Sequence, residues 1–489
     1  MMRKTKIVAT LGPATDAPET IARLLDAGVN IARLNMSHAK HDWVRQVVKH
    51  LRNAAQARGQ HVGILIDTQG PAVRTGDVPA PIELRRGEPF TFTVGGAAAV
   101  GQNSVSVNYD NFINDISVGD VVLIDNGEIE MKVVAKGAGR VECQVLTPGK
   151  LGSRRHINLP GVKVSLPALT EKDRADLELA LEVRVDYVAL SFVREAKDLQ
   201  ELRAILARSE TPPLIVAKIE GQQAVNNLEE LVRYADAVMV ARGDLGIECP
   251  YEELPIIQRK VVKSCLRIGR PVIVATHMLE SMISSPMPTR AEITDVSNAV
   301  FEQADAIMLS GETTIGKYPL RCVEVFDRIA RRTERSGGAG YQAAAELVTA
   351  REKLVKSAVV MADELKAQAI FVFARDTSLA RYTAWMRPKV SPIYAACPNE
   401  RMACSLTLNR AITPMVIDFD DHDPDRTVTT GLRHLRDDGH LQPGDTVVVV
   451  GATSADRQIV DARECAQRVD YSFTLVAVTR AIDCHQSIR

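Results

Sequence analysis

The sequence predicts an α/β protein: a (β/α)8 (TIM) barrel with an inserted all-β domain and a C-terminal open α/β domain. Three observations carry this reading. Short, near-continuous apolar runs alternate with helix-like segments over residues 5–68 and 186–313, which suits a parallel sheet covered on both faces. One gap between consecutive runs is far too long for a barrel connection and is rich in alternating β-branched residues. A Gly/Ser/Arg-rich stretch then precedes a second strand–helix alternation. At 489 residues the chain has room for more than one domain, with about three as the prior.

The apolar runs are Thr5–Gly12 (TKIVATLG), Asn30–Ser37, Val62–Thr68, Asp186–Val193, Leu214–Glu220, Ala237–Asp244, Pro271–Met278 and Ala306–Thr313. Helical patterns at Pro18–Ala27, Trp43–Arg58, Glu171–Val183 and Leu254–Ile268 separate several of them. Such units in series close into a barrel. Between the third and fourth runs, from about Gln69 to Asp186, lie PFTFTVGG, NSVSVNY and a long β-rich stretch. Turn residues at Asn126-Gly127 and Gly137–Gly139 mark hairpins there. A helical pattern resumes after Leu169. The expected domains are barrel over 1–70, insert over 71–166, barrel again over 167–336 and C-terminal α/β domain over 345–489. The linker is Arg331–Gly340, and the later strands fall at Ala369–Phe373, Pro392–Ala396, Met415–Phe419, Thr446–Gly451 and Phe473–Val478.

Composition narrows the function. Basic residues number 60 and acidic residues 61, for a net charge of −1. A dedicated nucleic-acid binder carries a basic surplus, so nucleic acid is not the expected partner. No run is apolar and long enough to span a bilayer, so neither is a membrane. The first residues lack a signal-peptide core and cleavage site. The eight cysteines, Cys143, Cys249, Cys265, Cys322, Cys397, Cys404, Cys465 and Cys484, are scattered without a C-x-x-C pair. They read as small buried residues in a reducing compartment, and a cytoplasmic location is expected.

A barrel places its active site at the C-terminal ends of its strands. Those ends carry Arg33, Asn35 and Ser37; Asp67 and Thr68; Lys218 and Glu220; Arg242 and Asp244; Thr276; and Ser310 and Glu312, with Arg74 close behind the third strand. Strand-end ion pairs account for any one of these alone. As a set, cations around the Glu220 and Asp244 carboxylates suit phosphoryl transfer. The carboxylates hold a hard divalent metal, Mg²⁺ or Mn²⁺, and the cations neutralise charge as the phosphoryl group moves. A near P-loop, Gly311–Tyr318 (GETTIGKY), is a decoy: Tyr318 lacks the metal-binding hydroxyl, and Pro319 follows.

At these positions the chain resembles the pyruvate kinase family. The blocks are TKIVATLGPAT (5–15), ARLNMSH (32–38), DTQGPAVRTG (67–76), NLPGVKVSLPALTEKD (158–173), VAKIEG (216–221), VMVARGDLGIE (238–248), ATHMLESM (275–282), PTRAEITDVSNAV (288–300) and IMLSGET (307–313). The short N-terminus is nearer to bacterial members than to animal ones. The resemblance implies transfer of a phosphoryl group from phosphoenolpyruvate to ADP, giving pyruvate and ATP. It implies Glu220 and Asp244 as Mg²⁺ ligands, Lys218 as the lysine that stabilises the phosphoryl group in flight, and Arg33 on the substrate phosphate. It places the substrate carboxylate at Gly243, Asp244 and Thr276, with Gly at 243 for close backbone approach. Nucleotide contacts fall to Arg74, Asn35, His38 and Arg155. Asn35, Ser37, Asp67 and Thr68 match a K⁺ site, whose oxygen types suit a hard cation. A homotetramer is implied by the resemblance alone.

Departures qualify this. Where many members have Lys-Gly-Pro-Glu after Asp67-Thr68, this chain has Gln69-Gly70-Pro71-Ala72, which leaves K⁺ dependence open. His277 stands where Gln is usual and reads as an ordinary strand-end histidine. The loop Ala374–Leu379 (ARDTSL) carries an acid and lacks the glycine of members activated by fructose 1,6-bisphosphate, and GATSADRQ after Val447–Val450 lacks the glycine-rich turn. The effector expected is another anion, a sugar phosphate or nucleotide, on Arg375, Thr377 and Ser378. A non-catalytic sensor would have lost Lys218, Glu220 or Asp244, and all three are present.

Overall fold

The computed structural model describes residues 2–95, 103–125, 127–137, 139–373, 375–420, 424–451 and 473–477. Strands Lys6–Thr10, Ile31–Asn35, Gly63–Asp67, Tyr187–Leu190, Leu214–Ile219, Ala237–Ala241, Val272–Ala275 and Ala306–Leu309 pair in sequence order into a closed, all-parallel barrel. Register places the site: Asn35 lies beside Asp67, Asp67 beside Ala189, and Lys218 beside Met239. The barrel interior is packed with Val8, Ile31, Leu65, Tyr187, Met239, Ile273 and Met308, so it is a core and not a channel.

The third strand leads into the insert, a six-stranded sheet beside a two-stranded one. Its hairpins join Val121–Ile124 to Ile129–Gly137 and the latter to Arg140–Val145. Asn126 lies outside the described residues; Gly127 and Gly139 have φ of 87° and 81°, the left-handed conformation that favours glycine. The chain returns through helix Glu171–Glu182, started by a Thr170–Asp173 capping box. Asp173 also accepts from Gln69 N and Gly70 N, which ties the exit of the third strand to this helix.

Strands at the mouth stop sooner than the apolar runs suggest. The sixth ends at Ala241, and Arg242–Glu248 is a helix with Asp244 in its first turn, where a carboxylate complements the helix dipole. The GETTIGKY segment is likewise a short helix, Gly311–Thr314, before helix Pro319–Glu334. That last helix runs into the expected linker. Arg331 pairs with Asp327 one turn back, and the Glu334 carboxylate accepts from Lys4 N, Thr5 N and Thr5 Oγ1, so its final turn is held to the barrel.

The C-terminal sheet is parallel, in the order Ile412–Val416, Ile393–Cys397, Ala369–Phe373, Val447–Gly451, Phe473–Ala477. The first of these was expected at Met415–Phe419. Pro414 disguised it, yet a residue without an N–H is tolerated on an edge strand. This domain seals the barrel floor. Leu408 packs into the barrel interior and its N–H donates to Tyr187 Oη at 3.2 Å. Around it Arg387 and the Arg410 N–H both reach Asp305, and Lys6 Nζ donates to Ile412 O at 2.5 Å.

Lys6 is buried at that floor, and burial, with Arg3 adding to it, pushes its pKa down from 10.5 to about 7. The unfolded chain therefore holds more protons than the folded one between about pH 7 and 10. This group's contribution to stability should rise with pH across that window and level off below it. Urea midpoints measured from pH 7 to 9 should climb, and Lys6→Met should flatten the climb; an unchanged slope in that variant would refute the assignment.

Candidate active site

At the barrel mouth, Arg33 Nε donates to Asp67 Oδ2 at 2.7 Å and Arg33 Nη1 to Thr10 Oγ1 at 2.9 Å. Lys218 Nζ lies 3.1 Å from Asp67 Oδ1 and 2.8 Å from Glu220 Oε1. All four charged groups are buried. Burial works against the Asp67 carboxylate, but Lys218 and Arg33 outweigh it and hold the group below the usual range. Burial likewise opposes the Lys218 ammonium, and Asp67 and Glu220 outweigh it, so its pKa is raised. Glu220 is pushed up: burial and the neighbouring Asp244 prevail over Lys218. Its charge is the least supported of the set.

That imbalance is the test of a metal. Among the described residues no cluster of three or more His, Cys, Asp or Glu is placed to hold an ion. Glu220 and Asp244 make a two-carboxylate set instead, and buried Glu220 Oε1 has the Lys218 ion pair but no aligned hydrogen-bond donor. Mg²⁺ is commonly bound by one or two carboxylates, with water and substrate oxygens completing its shell. The residues fit the ion.

Thr276 and His277 follow the seventh strand with φ of 67° and 52°. Consecutive left-handed non-glycine residues are strained and persist only where contacts over-determine them. Arg242 supplies those contacts, donating to Ala275 O at 3.1 Å and Thr276 O at 2.5 Å while pairing with Asp295. Thr276 Oγ1 then accepts from Gly243 N at 2.8 Å and donates to Ala275 O at 2.7 Å. The protein alone does not demand glycine at 243: a Cβ there would meet Thr276 Oγ1 at 3.6 Å and His277 at 3.7 Å, ordinary contacts. Gly243→Ala should therefore keep the melting temperature; one lowered by several degrees would show that the backbone itself needs the glycine.

A cavity of about 440 Å³ opens between this mouth and the insert. Arg33, Asn35, Ser37, His38, Thr68, Lys218, Glu220 and Asp244 line its barrel side, and Arg74 and Arg155 its insert side. Arg74 Nη1 donates to Arg154 O and Arg155 pairs with Asp125 at 3.1 Å. Asp67 lies beneath, its oxygens turned to Arg33 and Lys218. Asn35 Oδ1 accepts from Ser37 N. Arg375, Thr377 and Ser378 do not line this cavity; they lie in the C-terminal domain. There the Asp376 carboxylate accepts from Ser378 N at 2.8 Å and from Ser378 Oγ, and Arg351 Nη1 donates to Ser378 Oγ. Ala374 and the 452–458 part of GATSADRQ lie outside the described residues.

Strand-end reading did not single out Ser191, Phe192 or His156. Ser191 follows the fourth strand and contacts Lys218, Thr68 and Asp67. The rule that finds Ser310 also reaches it; an uncharged hydroxyl gives no charge signal to draw notice. Phe192, at φ 54°, donates its N–H to Glu220 Oε2. His156, pushed down by burial and Arg74, belongs to the insert and meets the mouth only through folding.

The family model for the pyruvate kinase barrel domain matches residues 2–323, and that for the pyruvate kinase alpha/beta domain matches 352–459. The chain belongs to the pyruvate kinase family. It is 41% identical over 92% of its length to plastidial pyruvate kinase 3, chloroplastic, of Arabidopsis thaliana, covering 79% of that protein. It is 37% identical to a pyruvate kinase of Borreliella burgdorferi, over 91% of this chain and 93% of the other. A crystal structure of a pyruvate kinase from Cryptosporidium parvum superposes with a TM-score of 0.88 at 34% identity, over 92% of this chain and 94% of that one. This pyruvate kinase is thus a phosphotransferase of that class. No helix among the described residues is long and apolar enough to cross a membrane.

Proposed function

We propose that this pyruvate kinase moves the phosphoryl group of phosphoenolpyruvate to ADP in the cavity between the barrel mouth and the insert. The observation that carries the reading is Lys218, buried between Asp67 and Glu220 and open to that cavity beside Asp244 and Arg33. Two anions must approach each other, which is unfavourable without nearby positive charge. Arg33 binds the substrate phosphate from the barrel, and Arg74 and Arg155 meet the nucleotide from the insert, with Asn35 and His38 beside them. Lys218 faces the phosphoryl group between donor and acceptor oxygens, where charge develops. Mg²⁺ or Mn²⁺ on Glu220 and Asp244 would supply Lewis-acid neutralisation of the same charge. Gly243, Asp244 and Thr276 receive the substrate carboxylate. The Thr276 hydroxyl proton rests on Ala275 O, so in this arrangement Thr276 organises the carboxylate pocket and must turn before passing a proton to the enolate carbon. The insert, closing over the mouth, excludes water and suppresses hydrolysis.

Three finer assignments belong to the same reading. K⁺ sits with Asn35, Ser37, Thr68 and Asp67, although Asp67 already faces two cations. The effector is a phosphorylated metabolite other than fructose 1,6-bisphosphate, held by Arg375, Thr377 and Ser378, because this loop has no glycine to let its backbone wrap a phosphate and Asp376 already occupies Ser378 N. The chain assembles as a homotetramer in the cytoplasm; Met287, Ile293 and Phe301, exposed on and beside helix Arg290–Phe301, offer apolar surface for association. The divisions at residues 70, 166 and 336 mark where the insert and the C-terminal domain meet the barrel.

Pyruvate formation from phosphoenolpyruvate and ADP with Mg²⁺ should be seen with K⁺ and fall with tetramethylammonium alone. Equal rates would remove the K⁺ site and keep the reaction. No ADP-dependent pyruvate in either would end the reading. Fructose 1,6-bisphosphate should leave the phosphoenolpyruvate saturation curve unmoved, while glucose 6-phosphate or AMP should shift it.

A further inference from the structure

Two carboxylates flank Lys218: its Nζ lies 3.1 Å from Asp67 Oδ1 and 2.8 Å from Glu220 Oε1. Charge attraction depends mainly on distance, and an ammonium on a flexible stem carries three rotatable donors. The shortest polar contact of Lys218 Nζ is its hydrogen bond to Ser191 Oγ, at 2.7 Å. Ser191 is buried immediately after the fourth strand. A hydroxyl has one proton to give and lone pairs to accept with. Here the Thr68 carbonyl takes the proton at 2.7 Å, closer than Asp67 Oδ1 at 3.2 Å. A lone pair is left for Lys218. The Ser191 N–H also donates to Thr68 Oγ1 at 3.1 Å, so Ser191 is held to the exit of the third strand through both backbone and side chain.

We propose that Ser191 is a positioning residue for phosphoryl transfer: its hydroxyl, oriented as an acceptor by the Thr68 carbonyl, sets the rotation of the Lys218 ammonium so that the other donors face Glu220 and the cavity. The inference rests on the role given to Lys218 above. A donor already aimed at the developing charge needs no reorganisation when the reaction occurs. One held by charge alone must first be turned.

In Ser191→Ala, kcat should fall about tenfold to a hundredfold while KM for phosphoenolpyruvate stays within about threefold, the pattern of an interaction used in the transition state. The melting temperature should stay near that of the wild type. Ser191→Cys has a similar shape and a weak acceptor, and should show the same loss, which keeps the test decisive if the alanine variant folds poorly. Lys218→Met combined with Ser191→Ala should be no slower than Lys218→Met alone, because Ser191 acts through that ammonium. Wild-type kcat in both Ser191 variants would overturn the proposal, as would a double variant slowed by the full Ser191 factor. A Lys218→Met enzyme with normal kcat would instead remove the role of Lys218, and this inference with it.

Discussion

Lys218→Met should lower kcat by about 10³-fold with little change in KM for phosphoenolpyruvate, the scale of losing a donor aimed at transition-state charge. The methionine keeps the apolar stem of the lysine and removes only the ammonium. Its loss leaves two buried carboxylates without their shared cation. Asp67 keeps Arg33, so it stays ionised. Glu220, already pushed up by burial and Asp244, is pushed further towards its protonated form when no metal is bound, so the urea midpoints are read in EDTA. The folded state then binds more protons than the unfolded one above the ordinary carboxylate range, so the variant should lose stability as pH rises from 5 to 8. Steady-state kinetics and urea midpoints at both ends of that range check the two halves. Wild-type-like turnover would end the assignment of Lys218.

Asp67→Ala should carry the largest stability cost of any single change at the mouth. Removing one member of a buried charge set leaves the others uncompensated, at about 3–5 kcal/mol. Here Arg33 and Lys218 both lose the carboxylate, and Ser191 loses a neighbour. The strands that carry these residues are adjacent in the barrel, so the penalty falls on its closure and not on a loop. Equilibrium unfolding should show the shift in midpoint. Asp26→Ala, which removes an exposed partner of Arg58, is the control and should not move it measurably. A midpoint for Asp67→Ala equal to that control would show that Arg33 and Lys218 find other partners or water.

Much of this architecture was legible because its signals are local. Near-continuous apolar runs mark strands buried on both faces, and alternation marks the insert. The helical patterns at Pro18–Ala27, Trp43–Arg58, Glu171–Val183 and Leu254–Ile268 fall on the helices Pro18–Asp26, His41–Gln56, Glu171–Glu182 and Leu254–Ile268. Where local signals mislead, a tertiary contact decides. Pro414 sits inside a strand because that strand is an edge. The expected linker begins as helix because Glu334 is gripped by residues at the far end of the chain.

The sequence by itself determined which groups stand at the strand ends: Arg33, Asp67, Lys218, Glu220 and Asp244 follow from strand periodicity and the rule that barrels work at one face. It also determined the family, since KIEG and MVARGDLGIE survive as contiguous words. Only the tertiary structure decided which group speaks to which. Burial and distance make Asp67 the shared partner of Arg33 and Lys218 and leave Glu220 the carboxylate with least support. They also bring in Ser191, a strand-end hydroxyl with no charge to draw notice, and His156, which reaches the mouth from the insert. The reason is physical: periodicity reports which face a side chain occupies, whereas hydrogen bonds and pKa values depend on distances between strands, and those are fixed only when the barrel closes.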